Sequence, residues 1–215
     1  MPARCKTAIL ISGAGTNLQA FIDQANDRRP GLEITVVFSN KPDAYGLIRA
    51  QKAGIPTACI EHGKFADRES FDNAVAAELA RWQPDLLLLA GFMRILSRGF
   101  VARYAGKILN IHPALLPLHP GLNTHQRVLD AGDAWHGSTV HFVTEKLDAG
   151  PRILQGRLAV NANESADELA ARVQSIEHQI YPLAASWVGS GRAECRDGQT
   201  WIDGELCAEP MIKSF

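Results

Sequence analysis

The apolar run that begins at Ile108 closes in Asn110-Ile111-His112-Pro113, and 36 residues beyond His112 stands Asp148, in the stretch Leu147-Asp148-Ala149-Gly150. Side chains alternate along a strand, so an apolar strand ending in Asn-x-His aims an amide and an imidazole to one side. The amide can steady an oxyanion while the imidazole moves a proton. A carboxylate delivered by a separate, glycine-flanked loop holds that imidazole charged. These three groups suit acyl transfer without a covalent enzyme intermediate. The sequence has no Gly-x-Ser-x-Gly elbow and no cysteine in a recognisable Cys–His nucleophile signature. Polar residues at a strand end also cap neighbouring loops, and Asp before Gly also starts turns. The catalytic reading is preferred because the proline-rich stretch after His112 and the loop around Asp148 supply the remaining walls of a site.

A second constellation follows the first apolar run. Ser12-Gly13-Ala14-Gly15-Thr16-Asn17-Leu18 is a glycine turn opening a helix, where first-turn amides and the Thr16 hydroxyl would receive a phosphate. The turn lacks the third glycine of the dinucleotide fingerprint and the lysine of a P-loop, which argues against NAD and ATP. Arg94, after Gly91-Phe92-Met93, makes an apolar edge with one cation, suited to a flat heterocycle. The seven histidines show no metal-ligand spacing: His112, His119 and His125 are not i, i+2 or i, i+4 neighbours, and His136 and His141 fall on opposite faces of one strand. No metal is expected.

Positioning these groups requires alternating strands and helices, and the sequence has them. Short apolar runs at 8–12, 34–38, 57–60, 86–90 and 107–112 alternate with amphipathic stretches at 17–26, 45–53, 70–82 and 97–104, the pattern of a parallel α/β sheet. After His112, Pro113, Pro117, Pro120 and Gly121 force an irregular loop. Two further strands, 138–143 and 153–160, flank the Asp148 loop as a hairpin-like excursion. Ser165 and Asp167 offer a cap for a helix from 166 to about 181, and Asp197-Gly198 marks a hairpin turn in the tail.

With 215 residues, 46% hydrophobic and 21% charged, the chain fits one sizeable folded unit. A net charge of −1 without basic blocks argues against a general nucleic-acid or membrane surface. Cys5, Cys59, Cys195 and Cys207 form no C-x-x-C pair, so free thiols in a reducing cytoplasm are expected. The run at 8–11 is too short for a signal segment, and the longest apolar stretch, 86–93, is too short to span a bilayer.

Several motifs, in order, resemble the glycinamide ribonucleotide formyltransferase family: the segment 12–20 above, Ser39-Asn40-Lys41-Pro42-Asp43-Ala44-Tyr45-Gly46-Leu47, Leu89-Ala90-Gly91-Phe92-Met93-Arg94-Ile95-Leu96, Asn110-Ile111-His112-Pro113-Ala114-Leu115-Leu116-Pro117 and His136-Gly137-Ser138-Thr139-Val140-His141-Phe142-Val143. The resemblance runs to about Trp187. It implies a Rossmann-like formyltransferase α/β fold, a mainly parallel central sheet flanked by helices, in one domain over 1–215. Residues 1–105 would form its phosphate-binding half and 106–190 its catalytic and folate-binding half, with 191–215 a loosely assigned tail. The implied reaction moves the formyl group of 10-formyltetrahydrofolate, a co-substrate, to the amine of glycinamide ribonucleotide in de novo purine synthesis, without a metal. The family's catalytic trio falls on Asn110, His112 and Asp148. Its ribonucleotide contacts fall on Gly15, Thr16, Asn17, Gln174, Ser175, Ile176 and Glu177. Its folate contacts fall on Arg68, Met93, Arg94, Ile95, Leu96, Asn110, Thr144, Glu145, Lys146, Leu147 and Asp148. A monomer or homodimer in the cytoplasm, with no nucleic-acid or membrane partner, completes the expectation. Ala14 stands where many relatives have Asn, and Thr16 where many have Ser, which keeps the hydroxyl.

Three other readings are distinguishable. A methionyl-tRNA formyltransferase usually carries an additional RNA-binding domain, for which this chain has neither the length nor the basic charge. A formyltetrahydrofolate deformylase would carry an added N-terminal regulatory domain, whereas here the first strand begins by Ala8. A non-catalytic nucleotide-binding module would use the 15–17 turn alone and leave Asn110, His112 and Asp148 without a role.

Overall fold

Alternate residues of the first strand feed two separate apolar cores, one on each side of a central sheet, as the buried strands of an α/β sheet must. In the computed structural model, which describes residues 4–26 and 31–215, Ile9 and Ile11 pack into one core and Ala8 and Leu10 into the other. Residues 1–3 and 27–30 of the expected 1–215 domain lie outside the described residues. The elements run β1 (Cys5–Ile11), α1 (Thr16–Asn26), β2 (Leu32–Ser39), α2 (Tyr45–Lys52), β3 (Thr57–Cys59), α3 (Arg68–Ala80), β4 (Leu86–Leu89), α4 (Arg98–Arg103), β5 (Ile108–His112), α5 (Thr124–Ala131), β6 (Trp135–Phe142), β7 (Arg152–Ala159), α6 (Ala166–Gly189), β8 (Ala193–Arg196), β9 (Gln199–Ile202), β10 (Glu205–Leu206) and β11 (Met211–Ser214).

The eight-stranded sheet has the order β11-β7-β6-β5-β4-β1-β2-β3, and β8, β9 and β10 form a separate three-stranded sheet. Five neighbouring pairs of the large sheet are parallel, while β6 is antiparallel to both β5 and β7. The expected mainly parallel sheet flanked by helices is therefore what forms. Between β1 and β4 the chain order reverses, so the loops leaving their C-terminal ends splay apart and open a crevice, where ligands of such sheets bind. The Gly13–Gly15 turn, the 90–97 segment and the end of β5 all surround that crevice.

The packed face of α6 lies against the sheet beneath the site. Ser165 and Glu168 form a capping box at its start, as the cap residues there suggest. At the buried Tyr181, the hydroxyl lies 3.1 Å from the Leu89 carbonyl and 3.0 Å from the Leu109 carbonyl, tying β4 to β5 just below Asn110. The helix does not end at 181 as expected but runs through Pro182 to Gly189. Proline has no N–H to give the carbonyl four residues back; that carbonyl, of His178, accepts from Gln24 Nε2 at 3.5 Å instead. The sequence reading also has no helix at α5, and it misses β11, which adds in parallel to β7. In the tail, the expected hairpin turn at Asp197-Gly198 joins β8 to β9 with both residues at positive φ, 50° and 71°. All four cysteines are free thiols.

The buried contact between α5 and β6 is a histidine pair, with His125 Nδ1 2.9 Å from His136 Nε2. One ring must donate and the other accept, so the pair cannot hold two charges. Burial first, and then the charge of His125, pushes the His136 pKa down from 6.5 to about 4. An unfolded chain takes up this proton below 6.5, whereas the folded one resists until about 4. The pair's contribution to stability is thus complete above pH 6.5 and is lost as pH falls toward about 4. Urea midpoints should fall more steeply over that window for wild type than for His136→Gln; parallel declines would assign the pH dependence to other groups. Among the described residues, no helix is long and apolar enough to cross a membrane.

Candidate active site

At the C-terminal end of β5, Asn110 stands opposite His141 of β6 and His112 opposite Thr139, so these four side chains share one face of the sheet. The shared side expected for Asn110 and His112 is therefore present. Asn110 Nδ2 lies 3.2 Å from His141 Nε2, and His141 Nδ1 lies 2.9 Å from the Phe142 carbonyl. A carbonyl only accepts, so Nδ1 carries the proton and Nε2 accepts from the Asn110 amide. Burial lowers the His141 pKa, which keeps the ring neutral and able to accept. One N–H of Asn110 is used in this way, and the second is left for a ligand.

His112 is buried, and its Nδ1 lies 3.5 Å from Asp148 Oδ2, with both side chains less than a tenth exposed. Asp148 occupies the loop between β6 and β7 at φ 51° and accepts from the Gly121 amide at 2.9 Å. His112 Nε2 lies 3.0 Å from the carbonyl of His119. The irregular loop after His112 is pinned from β6 and β7. Thr139 Oγ1 donates to the Ala114 carbonyl at 2.6 Å, while Gln155 Nε2 and Arg152 Nη1 donate to the Leu116 carbonyl at 2.7 and 2.8 Å.

A cleft of ≈ 100 Å³ opens beside Asn110 and Asp148. Arg94, Ile95, Leu96 and the whole 144–148 loop line it, together with Asn110. Leu89, Phe92, Val101, His141 and Val143 line it as well, and sequence reasoning did not select them. For His141 the signal was available, because a histidine directly across an antiparallel pair from Asn110 sits within reach of it. The Arg94 guanidinium stands 5.9 Å from the Phe71 ring centre, and its buried Nε has no partner among the described residues. Two expected contacts fall outside this cleft lining: Met93 is two-thirds exposed, and Arg68 is the exposed first residue of α3.

On the other side of β5 lies the glycine turn. Gly15 has φ 70°, and a Cβ there would sit 2.7 Å from the Gly46 Cα. Only glycine allows α2 to dock against the turn. Arg49 of α2 closes the same contact, its Nε donating to the Ala14 carbonyl at 2.9 Å and its Nη1 to Gln19 Oε1 at 3.0 Å. Nothing local in the sequence marks Arg49, because its partners lie in a different βα unit. The first-turn amides of α1 have no acceptor within the helix. Gln174 Nε2 donates to Thr16 Oγ1 at 3.1 Å, and Asn17 Nδ2 donates to Glu177 Oε2 at 2.9 Å, so α6 does meet the turn as expected. Asn17 Oδ1 is buried without a partner among the described residues. Of the other two residues expected here, the Ile176 side chain goes into the core and the Ser175 hydroxyl bonds back to the Ala171 carbonyl at 3.2 Å.

Glu177 links this turn to the catalytic strand. Ser138 Oγ lies 2.8 Å from the His112 carbonyl and 3.0 Å from Glu177 Oε1. The serine hydroxyl has one proton, which these two acceptors share. Burial raises the Glu177 pKa against the hydrogen bonds from Asn17 and Ser138. Among the described residues, no three His, Cys, Asp or Glu side chains are gathered as a metal ion would need.

A family model described as formyl transferase matches residues 5–185. The phosphoribosylglycinamide formyltransferase of Escherichia coli (strain K12) is 50% identical over 197 residues, 92% of this chain and 93% of that one. The trifunctional purine biosynthetic protein adenosine-3 of Bos taurus is 47% identical over 206 residues, 96% of this chain and 20% of that protein. The solved structure of the phosphoribosylglycinamide formyltransferase of Coxiella burnetii superposes with a TM-score of 0.93 at 44% identity, covering 97% of this chain and all of that one.

Proposed function

We infer that this chain, which belongs to the formyl transferase family, is an enzyme that passes the formyl group of 10-formyltetrahydrofolate to the amine of glycinamide ribonucleotide in de novo purine synthesis. The observation that carries the reading is the meeting of Asn110, His112 and Asp148 at the end of β5, between a cleft lined by apolar side chains with Arg94 and Lys146 and a helix N-terminus suited to phosphate. Folate enters as a co-substrate, its ring system against residues 94–96 and 144–148. The phosphate rests on Gly15, Thr16 and Asn17, and Glu177 with Asn17 faces the ribose hydroxyls. Residues 1–215 work as one unit in this reading, acting in the cytoplasm as a monomer or homodimer.

The neutral amine attacks the formyl carbon and the new C–N bond places charge on the formyl oxygen. The free N–H of Asn110 and the charged ring of His112 stabilise that oxyanion. Asp148 favours the imidazolium and orders a water that carries one proton from the attacking nitrogen to the folate nitrogen. The bond from carbon to the folate nitrogen then breaks, releasing tetrahydrofolate with no net change in protons.

Incubation with both substrates should yield formylated ribonucleotide and tetrahydrofolate in equal amounts. Formate without formylated ribonucleotide would replace this reading with hydrolysis, and binding of the ribonucleotide without turnover would replace it with a binding module.

Gly15→Val tests the division between the two pockets. A β-branched side chain at φ 70° is strained, and it must push α2 away from the turn. A misplacement worth at least about 1.4 kcal/mol raises the ribonucleotide KM by ~10-fold or more, with the folate KM little changed. A rise in the folate KM alone would reverse the assignment of the pockets.

A further inference from the structure

We propose that His119, anchored by Asp133, is a positioning residue for the imidazole of His112; this rests on the reading of His112 as the catalytic imidazole. Residues 119–121 turn their main chain toward the catalytic pair, with the His119 carbonyl 3.0 Å from His112 Nε2 and the Gly121 amide donating to Asp148 Oδ2 at 2.9 Å. His119 holds φ 50°, a left-handed conformation that a side chain adopts against a steric penalty. Something must hold it there, and its own ring does: His119 Nε2 lies 2.6 Å from Asp133 Oδ2, just past the Gly132 cap of α5. From α5 itself, Arg127 Nη1 donates to the Pro120 carbonyl at 2.6 Å. Thus Asp133 and Arg127 hold the segment on both sides of the peptide that reaches His112.

The consequence for His112 follows from proton counting. A carbonyl cannot donate, so its approach to Nε2 requires the proton on that nitrogen. Of the two neutral tautomers, the segment selects the one that leaves the Nδ1 lone pair facing the Asp148 carboxylate, 3.5 Å away. A second proton at Nδ1 turns that opposition into an ion pair. His119 therefore orients the ring with its Nδ1 turned toward Asp148. The histidine side chain matters here through Asp133 alone, because it is the main chain of residue 119 that touches His112.

Asp133→Ala and His119→Ala should each lower kcat by about 10-fold through a displaced imidazole, with the KM of either substrate within about 2-fold of wild type. The double variant should be no worse than the poorer single one, since both remove one device. His119→Gln, whose amide reaches Asp133 with the same kind of donor, should restore most of the rate. Nitrogen-15 NMR of the substrate-free protein should find the neutral His112 ring protonated at Nε2 in wild type and divided between tautomers in Asp133→Ala. An unchanged ring spectrum, or an unchanged kcat in Asp133→Ala, overturns the proposal. The ring spectrum needs no substrate, so a wild-type protein that fails to transfer formyl would remove the reaction reading while the positioning claim is still decided. Asp133 lies beyond the end of α5, so Asp133→Ala still decides the proposal if His119→Ala fails to fold.

Discussion

His112→Ala is expected to lower kcat by ~10²- to 10³-fold, the range for losing one group that stabilises the oxyanion, while the KM for glycinamide ribonucleotide stays within a few-fold of wild type. The phosphate turn and Glu177 approach the ribonucleotide from α1 and α6, so they survive the loss of the imidazole. Asp148→Asn should reproduce most of this loss. It is nearly isosteric, keeps an acceptor for the Gly121 amide and removes only the charge that faces Nδ1 at 3.5 Å. Because the two residues act as one unit, the double variant should be about as slow as His112→Ala alone. Steady-state rates for the three variants decide it. Multiplying losses would mean that Asp148 acts on something other than His112, and an Asp148→Asn enzyme at full rate would reduce the carboxylate to a loop-holding role.

Asn110→Ala should cost ~10²- to 10³-fold in kcat, as for removal of one oxyanion donor. The side chain is half-buried and bonds to His141, its one side-chain partner among the described residues, so its removal leaves the strand intact. Thermal unfolding should therefore shift little while the rate collapses. A formyl-transfer rate equal to wild type would remove Asn110 from the mechanism, and an equal loss of melting temperature and rate would mark it as a structural residue.

The two parts of the site were legible to different degrees. Asn110 and His112 could be placed on one face from the period of a strand alone, and the glycine turn could be placed at a helix start from the residue types. Asp148 was readable as a loop carboxylate, and its pairing with His112 was an expectation of chemistry. Arg68 and Met93 came only from family resemblance, and neither lines the cleft beside Asn110. Ile176 also came from the resemblance: on a helix against the sheet its side chain packs in the core, while its neighbour Glu177 meets Asn17 at the glycine turn.

What the amino-acid order determined by itself was local and periodic: the alternation of strands and helices, the shared side of Asn110 and His112, the capping box of α6 and the hairpin turn at Asp197-Gly198. What only the tertiary structure decided was everything set by contacts between distant segments. The path of residues 113–123 depends on Thr139, Arg152, Gln155 and Arg127, and α6 continues past Pro182 because Gln24, 154 residues away from His178, takes the orphaned carbonyl. The partner of His112 Nε2 was undecidable for the same reason. A main-chain carbonyl carries no residue type to read, and its direction at His119 is set by a left-handed φ that the contact with Asp133 maintains. Periodicity informs on which face a side chain points. It is silent on which backbone atom from another loop meets it there.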